Sequence, residues 1–259
     1  MARLSKFSRS VEGKVAIVTG AASGMGRATA RLFADEGAAV AITDVNADGV
    51  KAVADEITQA GGTARAWTVD VSDRDAVRKM IEEAAEAFGG IDILVNNAGI
   101  SAAHPFDGDG YEEVWERALA VDLSALTYTI RAALPYLRQS ESPRIVNIAS
   151  TEGLGATGGH TPYNAAKHGV IGLTRGLAVE LGREAITVNC VCPGPIRTGM
   201  TEAIPEEQKE TYARRRTALR RYGDPEEVAH MTLNLSLPAS SFVTGTTIQV
   251  DGGLTIRRA

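Results

Sequence analysis

Short apolar segments alternate along this chain with longer segments in which apolar residues recur every three or four positions. The short segments predict strands near 14–19, 38–43, 64–69, 91–95, 144–149, 186–191 and 246–250. The longer segments predict helices near 25–36, 47–60, 74–88, 112–138, 162–182 and 225–237, with a short addition within 201–214. Because each crossover between parallel strands needs a dozen or more residues, this alternation predicts an α/β fold with a parallel sheet.

Length and composition limit this fold to one domain. The 259 residues are 44% hydrophobic, which is enough to bury the core of one large α/β domain. No repeat or Pro/Gly-rich linker divides the chain. We therefore expect a single catalytic domain over 13–259, preceded by a mobile N-terminal arm over 1–12.

The charge pattern excludes several classes of partner. A net charge of −5 without an extended basic cluster makes nucleic acid an unfavourable partner. Residues 1–9 are mildly basic but contain no apolar stretch long enough for a signal peptide or a membrane span. We expect a cytoplasmic protein that binds neither membranes nor nucleic acid.

Two cysteines, Cys190 and Cys192, alternate with Val191 in a predicted strand. Their side chains are therefore expected on one face of the sheet, opposite Val191. A metal site would need further ligands nearby, and a structural disulfide is unexpected in a reducing compartment. We predict two packed thiols and no metal.

A glycine-rich turn joins the first predicted strand to the first predicted helix. Glycines in the segment Gly20–Gly26 allow backbone amides at the helix N-terminus to approach a pyrophosphate. The spacing, Gly-x-x-x-Gly-x-Gly, departs from the commoner Gly-x-Gly-x-x-Gly pattern. The flanking strand and helix nevertheless favour dinucleotide binding, and the predicted contacts are Gly20, Ser23, Gly24, Met25 and Gly26.

Asp44 ends the second predicted strand, where a carboxylate commonly binds the ribose hydroxyls of NAD. A 2′-phosphate would place like charge against this carboxylate. Ser23 and Val45 occupy the positions that could supply a compensating cation, and neither is basic. NAD is therefore favoured over NADP.

Tyr163 and Lys167 are spaced to share one face of a helix. A cation held beside a phenol favours the phenolate, which makes Tyr163 a predicted proton donor and acceptor. Such spacing also arises by chance, so its meaning depends on the surrounding motifs.

Six motifs in order resemble those of the short-chain dehydrogenase/reductase family. They are Thr19–Gly26, Asn96–Gly99, Ser150, Tyr163 with Lys167, Pro193-Gly194 and Asp251–Gly253. The resemblance runs from about Lys14 to Gly253. It implies a single Rossmann-type domain, a doubly wound parallel sheet of about seven strands with helices on both faces. The implied activity is NAD(P)-dependent oxidation of an alcohol or reduction of a ketone.

The resemblance also implies roles for particular residues. Ser150 would donate to the substrate oxygen, and Lys167 would also bond the nicotinamide ribose. Contacts with the adenine are implied for Asp70 and Val71. Other cofactor contacts are expected at Asn97 and, around the nicotinamide, at Ile196 and Thr198.

One position departs from the family pattern. The family usually completes a catalytic tetrad with Asn on the helix before the fifth strand, and this sequence has Asp122. If the backbone carbonyl holds a relay water, Asp is tolerated; if the amide is needed, Asp122 alters proton relay. We expect the first, with Asp122→Asn changing kcat less than about tenfold.

Residues 199–224 fall where the family carries its substrate lid. Arg214, Arg215 and Arg216 could bind an anionic substrate, or they could form a solvated face balanced by Glu206, Glu207 and Glu210; we favour the second interpretation. Substrate-pocket residues are predicted at Glu152, His160, Gly194 and Met200, together with the loop 101–104. Their polarity suggests a hydroxylated or oxygen-rich substrate.

Three functions remain open from the sequence. The favoured one is an NAD-dependent secondary-alcohol dehydrogenase or ketone reductase. The alternatives are an NADPH-dependent 3-oxoacyl-thioester reductase and a protein that binds NAD as a sensor without turnover. The resemblance implies a homotetramer or homodimer, paired through the helices near 112–138 and 162–182.

Overall fold

Seven parallel strands form one sheet in the computed structural model, which describes residues 4 and 6–258. The strands are β1 (Val15–Thr19), β2 (Ala39–Asp44), β3 (Thr63–Thr68), β4 (Ile93–Asn96), β5 (Arg144–Ile148), β6 (Thr187–Pro193) and β7 (Thr247–Val250). Their order across the sheet is β3-β2-β1-β4-β5-β6-β7. The chain reverses direction across the sheet between β1 and β4, which is where open α/β sheets bind ligands.

Helices cover both faces of the sheet. They are α1 (Gly24–Asp35), α2 (Ala47–Gln59), α3 (Arg74–Phe88), α4 (Tyr111–Leu119), α5 (Ala125–Leu137), α6 (Thr161–Leu181), α7 (Gly199–Glu202), α8 (Glu206–Arg216) and α9 (Pro225–Ser236). One core cluster joins the sheet to α3, α5 and α6, and the other joins it to α1, α2 and α9. The predicted doubly wound fold is confirmed, with most element bounds within two residues of the prediction.

Alternation along the strands assigns side chains to the two faces. Ile17 lies in the cluster under α3, α5 and α6, whereas Ala16 and Val18 lie in the opposite cluster. Cys190 and Cys192 share a face, with Val191 on the other, as predicted. Both cysteines are buried and free.

The predicted continuous helix over 112–138 is wrong in one respect. A π-helical segment, Ala120–Ser124, separates α4 from α5, and the amide of Ala125 donates to the carbonyl of Ala120. Gly169 of α6 packs against this segment, and a side chain there would lie 2.7 Å from Leu123. π-helical turns are rare in proteins, and many of those that are found lie at functional sites.

The predicted N-terminal arm lies partly outside the described residues, because residues 1–3 and 5 are not among them. Within the described part, Val11 is fully buried in the core. The Ser8 carbonyl accepts a hydrogen bond from the amide of Ala239. This part of the arm therefore contacts the domain.

No helix within residues 4 and 6–258 is both long and apolar enough to cross a bilayer. Over the same range, no three His, Cys, Asp or Glu side chains form a group that could hold a metal ion.

Candidate active site

The glycine-rich turn passes directly against the loop that follows β4. Gly20 has a positive φ of 65°. A side chain at Gly20 would lie 2.6 Å from the Cα of Ala98. A side chain at Gly26 would overlap the Gly20 carbonyl oxygen and lie 2.5 Å from the Asn97 amide nitrogen. Glycine at these two positions lets the turn and the start of α1 pack this closely against each other and against the loop after β4.

Thr19 and Asn97 join the ends of β1 and β4. The Thr19 hydroxyl accepts hydrogen bonds from the backbone amides of Asn97 and Ala98, both at 3.0 Å. The Asn97 side-chain amide donates to the carbonyls of Thr19 at 2.9 Å and Gly20 at 3.0 Å. The side chain of Asn97 therefore holds the turn in place, and its donors are directed at protein carbonyls.

Asp44 ends β2 beside the glycine-rich turn. Its carboxylate accepts hydrogen bonds from the amide of Ala22 at 3.2 Å and from that of Asn46 at 3.1 Å. Two fixed backbone donors hold the carboxylate at the edge of the cleft.

A cleft of about 580 Å³ opens at the carboxyl ends of the central strands. Its size is typical of sites that bind organic ligands. The predicted site residues that line it are Gly20, Ser23, Gly24, Met25, Asp44, Asn97, Ser150, Tyr163, Lys167, Gly194, Ile196, Thr198 and Met200. Residues from the ends of β2 and β5, the loops after β1, β4 and β6, and helices α1, α6 and α7 thus meet in one cavity.

Ser150 and Tyr163 enter this cleft from neighbouring elements. Ser150 lies two residues after the end of β5 in an extended conformation, and its hydroxyl accepts a hydrogen bond from the amide of Glu152 at 3.1 Å. The hydroxyl proton of Ser150 remains available to a substrate oxygen. Tyr163 lies in the first turn of α6, after Pro162, a residue that favours helix starts.

Lys167 lies one turn beyond Tyr163, and its ammonium nitrogen is 5.4 Å from the centre of the Tyr163 ring. The ammonium donates to the Ile148 carbonyl at 3.3 Å and pairs with Asp122 at 3.2 Å. The Lys167 side chain is 4% exposed and that of Asp122 is fully buried. Burial works against the charge, but Asp122 and Tyr163 raise the pKa of Lys167 overall.

The Asp122 carboxylate contacts Lys167 directly, which the sequence analysis did not anticipate. The same oxygen accepts a hydrogen bond from the amide of Ile100 at 3.2 Å. Burial raises the pKa of Asp122, and the Lys167 ammonium opposes that rise. The side chain, and not only the backbone, therefore belongs to the lysine's environment.

The amino-acid sequence matches those of known proteins over nearly the whole chain. A family model described as enoyl-(acyl carrier protein) reductase matches residues 20–255. A 3-oxoacyl-(acyl-carrier-protein) reductase of Thermotoga maritima is 41% identical over 95% of this chain and 99% of its own. The chain belongs to the short-chain dehydrogenase/reductase family. It is thus an oxidoreductase of a family that uses NAD or NADP and acts on small molecules.

Other similar proteins carry different activities in their names. The meso-2,3-butanediol dehydrogenase of Serratia marcescens is 40% identical over 94% of this chain and 95% of its own. A solved dehydrogenase/reductase from Sinorhizobium meliloti has a TM-score of 0.89 at 40% identity, covering 95% of this chain and 97% of its own. Members equally similar to this chain therefore differ in substrate.

Two residues implied by the family resemblance have side chains directed elsewhere. The Asp70 carboxylate accepts from the Ser72 hydroxyl at 2.6 Å and pairs with Arg117 at 3.1 Å. The Val71 side chain is buried in the core. An adenine contact at Val71 would have to use its backbone, and this contact stays a prediction.

Two predicted pocket residues are engaged in their own loop. The Glu152 carboxylate accepts hydrogen bonds from the amide and hydroxyl of Thr157, both at 2.7 Å. A ring nitrogen of His160 lies 3.2 Å from the Gly158 carbonyl. Neither residue lines the cleft, because the turn between β5 and α6 takes up their polar groups. Their polarity therefore no longer supports an oxygen-rich substrate.

The segment 199–224, predicted to form the substrate lid, contains α7 and α8. Glu206 pairs with Arg197 and Lys209, so the predicted balance between Glu206 and the arginine run is wrong. Arg214, Arg215 and Arg216 are exposed, and no ion pair involves them within the described part of the chain.

Several residues of the cleft were not predicted. Ile100 lines it from the loop after β4, and Thr201 does so from α7, whereas Ser101 belongs to the predicted pocket loop 101–104 and does line the cleft. The Thr201 hydroxyl accepts from the Thr198 amide at 3.1 Å and donates to the Ile196 carbonyl at 2.9 Å. A Thr three residues after Thr198 is a helix-start signal that could have been recognised in the sequence.

Proposed function

We propose that the protein is an NAD-dependent oxidoreductase that interconverts a secondary alcohol and a ketone, with Tyr163 as the general acid/base. The observation that carries this proposal is that Ser150, Tyr163 and Lys167 line the same cleft as the glycine-rich turn and Asp44. A proton-transfer group and a dinucleotide cradle in one cavity are what hydride transfer to or from a carbinol carbon requires.

The roles follow from these positions. In oxidation, Tyr163 takes the hydroxyl proton of the alcohol, and in ketone reduction it returns that proton. Ser150 donates to the substrate oxygen and stabilises charge that develops there. Lys167 favours the phenolate and bonds the nicotinamide ribose. When bound, the nicotinamide supplies the hydride acceptor or donor.

The residues present fit a dinucleotide. The glycine-rich turn leads into the N-terminus of α1 at the edge of the cleft, where unpaired backbone amides would bind a pyrophosphate. Asp44 is placed to bond ribose hydroxyls. Ser23 and Val45 offer no cation to a 2′-phosphate, and nearby Arg27 pairs with Glu56 at 3.0 Å. These features support NAD over NADP.

A second candidate is an NADPH-dependent 3-oxoacyl-thioester reductase. Its support is the matched family model and the similarity to the reductase of Thermotoga maritima. Dissociation constants for NADH and NADPH, measured by nicotinamide fluorescence, separate the two candidates. Tighter binding of NADH supports the dehydrogenase, and tighter binding of NADPH favours the reductase.

Tyr163→Phe tests the proposed chemistry. Substrates are first found by following NADH absorbance with a panel of alcohols, polyols, hydroxysteroids and 3-hydroxyacyl thioesters. The variant should then lose roughly a hundredfold or more in kcat while retaining NADH affinity. Tyr136→Phe is the matched control, since Tyr136 lines a separate cavity with Gly89 and Asp92.

Two outcomes would contradict the proposal. Near-normal turnover by Tyr163→Phe would remove Tyr163 from its assigned role. NAD binding without hydride transfer to any member of the panel would favour the sensor protein instead.

We also propose a homotetramer or homodimer that pairs through α5 and α6. Val179, near the C-terminal end of α6, is an aliphatic side chain that is 84% exposed and that such a pairing would cover. Light scattering coupled to size exclusion measures the assembly. A monomer at micromolar concentration would contradict this proposal.

A further inference from the structure

The Asp122–Lys167 pair lies deeper in the protein than an ordinary ion pair. The Asp122 side chain is fully buried, and only 4% of the Lys167 side chain is exposed. One Asp122 oxygen contacts Lys167 and the amide of Ile100, and the other is buried with no hydrogen-bond partner. A charged group held this way costs free energy unless its partner stays charged as well.

Gly99 makes room for this pair. A side chain at Gly99 would lie 2.7 Å from the Asp122 oxygen and 3.3 Å from the Lys167 nitrogen. The π-helical segment brings Asp122 to α6, and Gly169 permits that approach. Three separate parts of the chain therefore bring the carboxylate and the ammonium together.

We propose that the Asp122 carboxylate is the counterion of Lys167 and thereby sets the pH at which the Tyr163–Lys167 pair releases its first proton. The inference rests on the proposed function, because it assigns Tyr163 the acid/base role. Asp122 is here a positioning residue that acts through Lys167, and it does not touch the substrate.

The sign of the effect follows from charge. The Lys167 nitrogen is 5.4 Å from the centre of the Tyr163 ring, so the charge state of either group acts on the other. A negative carboxylate beside this pair opposes loss of a proton from either member. Replacing Asp122 with a neutral residue should therefore move the first midpoint to lower pH, whichever of the two groups releases the proton.

Other groups also face Lys167, and among them contact with Cys190 lowers the pKa of the Cys192 thiol. Tyr163 approaches Lys167 from α6, and Cys190 and Cys192 approach it from β6. Contact with Cys192 and burial raise the pKa of the Cys190 thiol. Asp251 acts on Cys192 and is turned toward the chain after β7, where its carboxylate accepts from the amides of Gly253 and Thr255, both at 2.8 Å. All of these groups remain in Asp122→Asn and in its control.

Asp122→Asn separates charge from structure. Asparagine keeps an oxygen that can accept from the amide of Ile100, removes the negative charge and puts an NH2 group in place of the other oxygen. The titration is followed without cofactor or substrate, by carbon-13 NMR of labelled tyrosine and lysine, with signals assigned through Tyr163→Phe and Lys167→Met. The first midpoint should fall by about one pH unit. The alkaline-side midpoint of kcat/KM for oxidation should fall equally, while kcat at its plateau changes less than about tenfold.

Asp92→Asn is the matched control. Asp92 also pairs with a lysine, Lys14 at 3.4 Å, but it lies at the opposite ends of the strands. Its replacement should leave the midpoint of the Tyr163–Lys167 pair unchanged. An unchanged midpoint in Asp122→Asn would overturn the inference, as would an equal shift in Asp92→Asn.

A measurement on the unaltered protein keeps the inference testable if Asp122→Asn does not fold. The carboxyl carbon of Asp122 should report an ionised carboxylate throughout the pH range in which Tyr163 and Lys167 titrate. A protonated carboxyl group over that range would overturn the inference. Failure of the proposed function is distinct, because it appears as normal turnover in Tyr163→Phe.

Discussion

The Asp44 carboxylate accepts a hydrogen bond from the backbone amide of Ala22 at 3.2 Å. This bond ties the end of β2 to the glycine-rich turn between β1 and α1. The carboxylate proposed to bind the ribose and the turn proposed to bind the pyrophosphate are therefore fixed relative to each other without a ligand. Preorganisation of this kind lowers the entropy cost of binding.

Replacing Asp44 with Ser and Val45 with Arg should reverse the cofactor preference. The change removes the charge that repels a 2′-phosphate and adds a cation at a position whose side chain is 61% exposed. We expect NADH affinity to fall and NADPH affinity to rise, each by roughly tenfold or more. Fluorescence titration of both cofactors checks this, and Asp48→Ser with Val45 retained is the control. If the ratio of NADH affinity to NADPH affinity did not change, Asp44 would not be the residue that binds the ribose.

Gly26→Ala should disrupt the turn that the site is built on. The new methyl group would overlap the Gly20 carbonyl, which is backbone and cannot move without shifting β1. We expect a loss of about 2 kcal/mol or more in unfolding free energy, with weakened NADH binding. Urea unfolding followed by circular dichroism measures the first effect, and fluorescence titration measures the second.

Gly182→Ala is the matched control for that substitution. Gly182 has helical backbone angles, φ −58° and ψ −31°, and nothing lies within 4 Å of an added methyl group. This change should be neutral or stabilising by about 0.5–1 kcal/mol. If the two variants had the same unfolding free energy, the close approach at Gly26 would not contribute to stability.

The sequence was sufficient for the fold because its signals are local. Apolar periodicity located β1 to β7 and most helices, and the motif residues after each strand converge at the carboxyl ends of the strands. Ser150, Tyr163 and Asp44 meet in one cleft for that reason, although they lie far apart along the chain.

Side-chain partners could not be predicted in the same way. The π-helical segment at Ala120–Ser124 keeps an apolar pattern close to that of a continuous helix, so the pattern did not reveal it. The contact between Asp122 and Lys167 depends on that segment and joins two distant parts of the chain. Glu152 offered a polar pocket residue in the sequence, but Thr157 captures its carboxylate. Whether a polar side chain bonds a neighbouring residue or faces a ligand site depends on the three-dimensional structure, and the sequence does not reveal it.

Replacing Arg214, Arg215 and Arg216 together with Ala should leave KM unchanged within about twofold for neutral substrates and for anionic ones. The three side chains are exposed in the last turn of α8, where cations act mainly on the helix dipole. A neutral and an anionic substrate of similar size should be compared in steady-state assays. A large rise in KM confined to the anionic substrate would show that the run binds substrate.

Glu227→Gln should destabilise the protein at neutral pH and lose that effect in acid. Glu227 accepts two hydrogen bonds from Arg221, both at 2.6 Å, and one from the amide of Asp224 at 2.8 Å. These bonds lower the pKa of Glu227 from 4.5 to about 2. Because the folded-state pKa is depressed, the carboxylate stabilises the fold above pH 4.5, and this stabilisation is lost as the pH falls toward 2.

The expected loss for Glu227→Gln at pH 7 is about 0.5–1 kcal/mol, since the side chain is partly exposed and solvent screens the pair. Urea unfolding of the variant and the unaltered protein at pH 7 and at about pH 3.5 measures the difference, which should shrink in acid. Glu226→Gln is the control, because it makes the same charge change in the first turn of α9 at a side chain that is 73% exposed. A difference that stays constant between the two pH values would mean that the ionised Glu227 does not contribute through Arg221.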